Sequence, residues 1–99
     1  MQIAKVRGTI VSTQKESNLT GVKFLLVQLI DEEGQLLPVH EVAADRVGAG
    51  IGEWVLISRG SSAREVEGNA NRPIDAAVVA IIDTVTVENQ RLYDKSTQW

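Results

Sequence analysis

The chain has 99 residues, 43% hydrophobic and 23% charged, with eight glycines, one histidine, no cysteine and a formal net charge of −3. That length fits one domain and not two independent cores, and no apolar run approaches the roughly 20 residues of a membrane-spanning helix. Without cysteine there is no disulfide scaffold, thiolate zinc site or iron–sulfur cluster, and His40 alone cannot build a multi-histidine metal centre.

The N-terminus, MQIAKVRGTIVS, lacks an extended apolar segment and an A-x-A site, so no secretory leader is expected. Valine, isoleucine and threonine make up 27 of the 99 residues, a β-branched bias that suits strands. The first strand is predicted over about residues 2–13, with Ala4, Val6, Gly8 and Ile10 in one alternating set, and Gly8 marks a bulge or bend. A polar loop (14–21) leads to a second strand, VKFLLVQLID (22–31). A turn at EEGQ follows, with Gly34 at positive φ. The third strand is LLPVHEVAAD (36–45), in which Pro38 requires an edge or a strand start. A glycine-rich connection (46–53) precedes the fourth strand, WVLISRG (54–60). SSAREVEG (61–68) carries a helix signature: a serine cap, Glu65 in capping-box range of Ser62, and Gly68 as stop. The fifth strand is DAAVVAIIDTVTV (75–87), and the polar ENQRLYDKSTQW reads as an arm or a short extra strand. The expected fold is all-β: a small five-stranded OB-like barrel with one short helix between strands 4 and 5, plus a C-terminal arm.

The second strand is apolar on both faces. Val22, Phe24, Leu26 and Ile30 share one face with Gln28, and we read this as the core side. Leu25, Val27 and Leu29 share the other, read as outward. The run from Ala76 to Ile82 has no polar residue either. A lone barrel of this size alternates to polar on its solvent side, so an outer apolar face needs a cover. A short polar helix is too small for that, which leaves the tail or, preferably, a neighbouring subunit.

Chemistry-bearing motifs are weak. GAGIG (48–52) is G-x-G-x-G rather than the dinucleotide spacing, and no βαβ unit follows it, so it reads as a tight turn. SRGSSAR (58–64) combines hydroxyls, Arg59, Arg64 and a helix start, but lacks a phosphate-loop lysine; capping and a surface salt bridge explain it more simply. His40, Glu41 and Asp45 suggest metal ligands, yet adjacent strand residues face opposite ways. No G-x-S-x-G elbow supports a Ser/His/Asp triad. Asp75 is expected as a loop or interface acceptor. Asp83 is expected half-buried in a strand, held by an arginine or a backbone N–H. An OB-like barrel raises single-stranded nucleic acid as a ligand, but the chain is acidic, its basic residues are scattered, and it has only Phe24, Trp54, Tyr93 and Trp99 for stacking.

Three segments in order, GTIVSTQKESNLTGVKFLLVQ (8–28), VAADRVGAGIGEWVLISRGSSAR (42–64) and PIDAAVVAIIDTV (73–85), resemble the CcmL/EutN family of bacterial microcompartment vertex proteins across about residues 1–85. The tail RLYDKSTQW is similar to the carboxysome members. The resemblance implies a vertex barrel domain (1–85) with a tail (86–99) that assembles as a homopentamer. Such pentamers fill the five-fold vertices of an icosahedral carboxysome shell around RuBisCO and carbonic anhydrase. The implied partners are itself, hexameric facet proteins and an inner shell or scaffold protein, with no nucleic acid, membrane, cofactor, metal or catalytic residue. Gly48, Ala49, Gly50, Gly52, Ser58, Arg59, Ser61, Arg64 and Asp75 are the candidates for subunit-interface or axial-loop positions. The second function class, an OB-type module for single-stranded nucleic acid or a small anion, stays beside it.

Overall fold

A computed structural model describes residues 1–11, 22–60 and 75–97. The strands are β1 (Gln2–Ile10), β2 (Lys23–Ile30), β3 (Leu36–Asp45), β4 (Trp54–Arg59), β5 (Ala76–Ile81), β6 (Thr84–Val87) and β7 (Gln90–Asp94), followed by a 3₁₀ turn, Lys95–Thr97. The first five close into a barrel in the order β1-β2-β3-β5-β4, and β6 and β7 form a separate hairpin. The expected helix over 61–68 and the loop at 14–21 lie outside the described residues.

β1 serves both sides of the barrel wall. Residues 2–5 pair with β4 and residues 4–10 with β2. The pairing slips between Val6 and Gly8, leaving Arg7 as the extra residue of a bulge at the predicted place. The slip has a consequence that simple alternation misses. Val6 lies opposite Val27, whereas Gly8 lies opposite Leu26 and Ile10 opposite Phe24. Cross-strand partners share a face, so Gly8 and Ile10 leave the side that Ala4 and Val6 occupy.

The interior holds Ala4, Val6, Leu25, Val27, Leu29, Ala43, Val55, Ile57, Ala76 and Val78. This reverses our reading of β2. Leu25 and Val27 are fully buried inside the barrel, while Phe24 and Leu26 face outward and are half-buried. Periodicity alone had no means of choosing between two equally apolar faces. The decision comes from the partners, because Val27 must share a side with Val6, which has no exposed surface.

Gly34 takes its positive φ, +82°, in the β2–β3 turn, where the Asp31 carboxylate accepts the N–H groups of Glu33 and Gln35. Pro38 lies where β2–β3 pairing is irregular, between Gln28 opposite His40 and Ile30 opposite Leu36. There its missing N–H breaks no ladder bond.

The predicted fifth strand is two elements. β5 stops at Ile81, Asp83 sits exposed at a bend, and β6 begins at Thr84 as half of the hairpin. The half-buried Asp83 expected within a strand is therefore corrected: its carbonyl accepts the Lys95 N–H at 2.8 Å, and water reaches its side chain. The hairpin tip is Glu88–Asn89, both at positive φ, the geometry that suits a tight two-residue hairpin. The hairpin packs a second core onto the barrel, in which Tyr93 meets Ile30, Trp54 and Ile82, with Ile3, Leu56 and Val85 against them. Part of the outer apolar surface is thus covered from within the chain.

Candidate functional site

The glycine-rich turn is built around two carboxylates. Asp45, buried at the end of β3, accepts the N–H groups of Val47 and Gly48 through Oδ1 and that of Ala49 through Oδ2, each at 3.1 Å. Lys23 Nζ lies 3.6 Å from the same Oδ2. Glu53, also buried, accepts the Gly50 N–H through Oε1 and meets Lys95 Nζ at 3.0 Å through Oε2. The Gly50 bond is the main cause that holds the Glu53 pKa below the ordinary glutamate value; Lys95 adds to it, while burial opposes it. Gly52 then donates to the Val6 carbonyl at 2.8 Å, and Val6 donates to the Glu53 carbonyl at 2.9 Å. These two bonds stitch the turn to β1.

Gly48 and Gly52 have φ of +80° and +90°, which only glycine adopts without strain. Ala49 is buried with the barrel interior, so the turn folds over the barrel and adds a side chain to its core. Ile51 is 62% exposed at the tip. A phosphate-binding loop presents free amides to its ligand. Here the amides of residues 47–50 already serve the chain's own anions, and a phosphate would meet two negative charges.

Arg59 is similarly engaged. Its guanidinium makes a bidentate pair with Glu41 and donates from Nη1 to Gln2 Oε1 at 3.0 Å. Glu41 lies opposite Val27 and Gln2 opposite Ile57, both interior positions, so this trio forms a polar plug among inward-facing positions. Hydrogen bonding to Glu41 raises the Arg59 pKa, the direction expected of a paired guanidinium. His40, Glu41 and Asp45 go to three different places: opposite Gln28, onto Arg59, and under the turn. Ser58 is buried and lies opposite Ala77; Asp75 is exposed, and its carbonyl accepts the Gly60 N–H. Ser61 and Arg64 lie outside the described residues.

Among the described residues, two of the three aromatic side chains are taken up by each other. Trp54 and Tyr93 are buried and stack on each other with centroids 4.4 Å apart, and the backbone N–H of Trp54 donates to the Tyr93 hydroxyl at 3.3 Å. The outward positions of β1, β2 and β3 form two apolar rows, of which Ala44 is itself fully buried. Ile10, Phe24 and Ala44 lie in one cross-strand row, and Gly8, Leu26 and Val42 in the next, with Val42 about half exposed. Sequence reasoning passed over Glu53 and Lys95, and weighed Tyr93 only as a stacking aromatic. A glutamate directly after the last glycine and a lone tyrosine in a polar tail were the available signals.

The family model described as "Ethanolamine utilisation protein EutN/carboxysome" matches residues 1–83. The chain belongs to the EutN/CcmL family. Among its relatives, the carboxysome shell vertex protein CcmL of Gloeobacter violaceus is 65% identical over 99 residues, covering 100% of this chain and 99% of the relative. CcmL of Nostoc sp. is 67% identical over 100 residues, with 100% and 99% covered. The solved structure of Gloeobacter violaceus CcmL superposes with a TM-score of 0.93 over 97% of this chain and 99% of that one, at 66% identity. A family structure described as the pentameric microcompartment shell protein GrpN of Rhodospirillum rubrum gives 0.80 at 46% identity, over 88% and 99%. The all-β barrel expected from the EutN/CcmL resemblance is the fold observed.

Proposed function

We propose that the chain is a structural vertex protein of the carboxysome shell, assembling as a homopentamer at the five-fold vertices. The observation that carries this is end-to-end similarity, above 60% identity, to proteins named as carboxysome shell vertex proteins. The outer rows on β1, β2 and β3 add the physical requirement: an apolar strip that no part of the second core covers. A ring needs two different patches on each subunit, because a five-fold contact is heterologous. We assign one to the Phe24–Leu26–Val42 strip and the other to the turn 48–52 with its exposed Ile51. The role is geometric. A sheet of hexagons closes into a shell only where pentagons interrupt it, and no catalysis is involved. Hexameric facet proteins and an inner shell or scaffold protein are the partners this role requires, and the enclosed cargo is RuBisCO with carbonic anhydrase.

Native mass spectrometry tests the assembly: five chains of 10.8 kDa give about 54 kDa, and a species that stays at one or two chains at all concentrations overturns it. Electron microscopy of a deletion strain tests the role. Elongated or open compartments are expected, whereas closed icosahedral shells with no other vertex protein present refute it.

A further inference from the structure

Glu53 sits between two parts of the molecule far apart in sequence. One carboxylate oxygen holds the Gly50 N–H and the other pairs with Lys95. The side chain is almost fully buried, and a carboxylate in that position requires hydrogen bonds and a counter-charge. Among the described residues the paired cation is Lys95, from the 3₁₀ turn after β7. Lys95 is itself placed by two anchors. Its N–H donates to the Asp83 carbonyl at 2.8 Å, and two residues earlier Tyr93 stacks on Trp54, the immediate neighbour of Glu53. The contact is also close on the turn side, since a Cβ at Gly50 would lie 3.3 Å from Glu53 Oε1. The Glu53 N–H completes the loop by donating to the Gly50 carbonyl at 3.2 Å.

We propose that the C-terminal segment Tyr93–Thr97 is a strap that sets the conformation of the glycine-rich turn 46–52 through Glu53, so that docking of the segment and order in the turn are one linked equilibrium. With Lys95 in place, the buried carboxylate keeps its charge and its hold on Gly50. When the strap lifts, the charge is left without compensation, and the side chain must swing to water or take up a proton. Either movement releases the Gly50 amide. The coupling is reciprocal, as any linkage between two equilibria must be: a contact that clamps the turn tightens the strap, and a contact that draws the strap away loosens the turn. The shifts of the two groups agree with this. The bond to Glu53 is the leading cause that raises the Lys95 pKa, and Lys95 helps to depress that of Glu53.

Hydrogen exchange read by mass spectrometry on the full chain, with peptides covering 46–53 and 90–97, tests the strap. Lys95→Met is expected to speed exchange in the turn by at least about fivefold, the size of effect set by one charge-assisted hydrogen bond. Lys95→Arg is expected to restore protection. Glu53→Gln keeps an acceptor for Gly50 but no charge, so it frees the strap peptide more than the turn. Arg91→Met, which breaks the neighbouring Arg91–Asp94 pair, is expected to leave the turn unchanged. In the unmodified chain, raising ionic strength screens the half-exposed Lys95 and is expected to speed exchange in turn and strap together. That measurement stands even if a variant unfolds. Turn protection that ignores Lys95→Met in a folded barrel, or that stays constant with salt while the strap peptide loosens, overturns the proposal.

Discussion

Replacing Asp45 with alanine isolates what the two-carboxylate arrangement contributes. The carboxylate accepts three backbone N–H groups, and these are not equivalent. Ala49 is buried, so its amide would lose its partner with no water to replace it, a cost of about 1–3 kcal/mol. Val47 and Gly48 are exposed, so water takes over and each forfeits only the surplus of a charge-assisted bond, about 0.5–1 kcal/mol. Lys23 is more than half exposed and adds little. The expected loss is therefore about 3 kcal/mol, a large share of the roughly 5–15 kcal/mol that holds a domain of this kind together. Asp45→Asn separates the contributions. Its amide oxygen still serves Val47 and Gly48, while its NH₂ meets the Ala49 N–H donor to donor, so it is expected to cost about 2 kcal/mol. The assay is urea unfolding at one fixed protomer concentration, because assembly adds its own stability. With a slope of about 1–3 kcal/mol/M, the alanine variant's midpoint falls by about 1–3 M. A midpoint within about 0.2 M of the parent would refute the reasoning, because it would mean that the turn amides find other partners and the carboxylate is dispensable.

Phe24→Asp and Val27→Asp separate the two faces of β2. The first is expected to leave a folded barrel that no longer forms the pentamer, and the second to abolish the fold itself, read together by circular dichroism and native mass spectrometry. Acid unfolding is expected to carry a contribution from Glu53: with a folded pKa below the ordinary 4.5, its stabilisation is complete above about 4.5 and fades as pH falls through the lower folded value. Glu53→Gln is expected to flatten that part of the pH–stability curve. Gly52→Ala meets no atom within 4 Å, so its cost is purely that of placing a Cβ at φ +90°, about 1–2 kcal/mol by thermal or urea unfolding.

How much of this was legible before the structure depends on whether the deciding interaction is local. β3 has the predicted boundaries, the bulge lies at Gly8, and Gly34 turns with positive φ, because glycine, proline and β-branched residues act on their own backbone. The inner face of β2 was not legible. Leu25 and Phe24 belong to equally apolar sets, and the choice between them is made by a strand that pairs across the sheet. The end of β5 was misjudged for a related reason: apolar residues continue past Ile81 into TVTV, and the bend at Asp83 is stabilised by Lys95, twelve residues onward. The glycine turn was read correctly as a turn, yet its organising carboxylates were not identified, since an acidic residue flanking a loop looks the same whether it faces water or its own amides.

Among the described residues, several groups that could serve a ligand are engaged by the protein itself: the amides of 47–50 by Asp45 and Glu53, the guanidinium of Arg59 by Glu41 and Gln2, the faces of Trp54 and Tyr93 by each other. These satisfied donors and the stacked ring pair tie the glycine-rich turn, β4 and the C-terminal segment to one another. A vertex needs stiffness, a fixed wedge angle between neighbours, and an apolar strip to meet the next copy. On β1, β2 and β3 the outer apolar rows, half-buried at Phe24 and Leu26 and about half exposed at Val42, lie outside the core that the hairpin builds with the barrel.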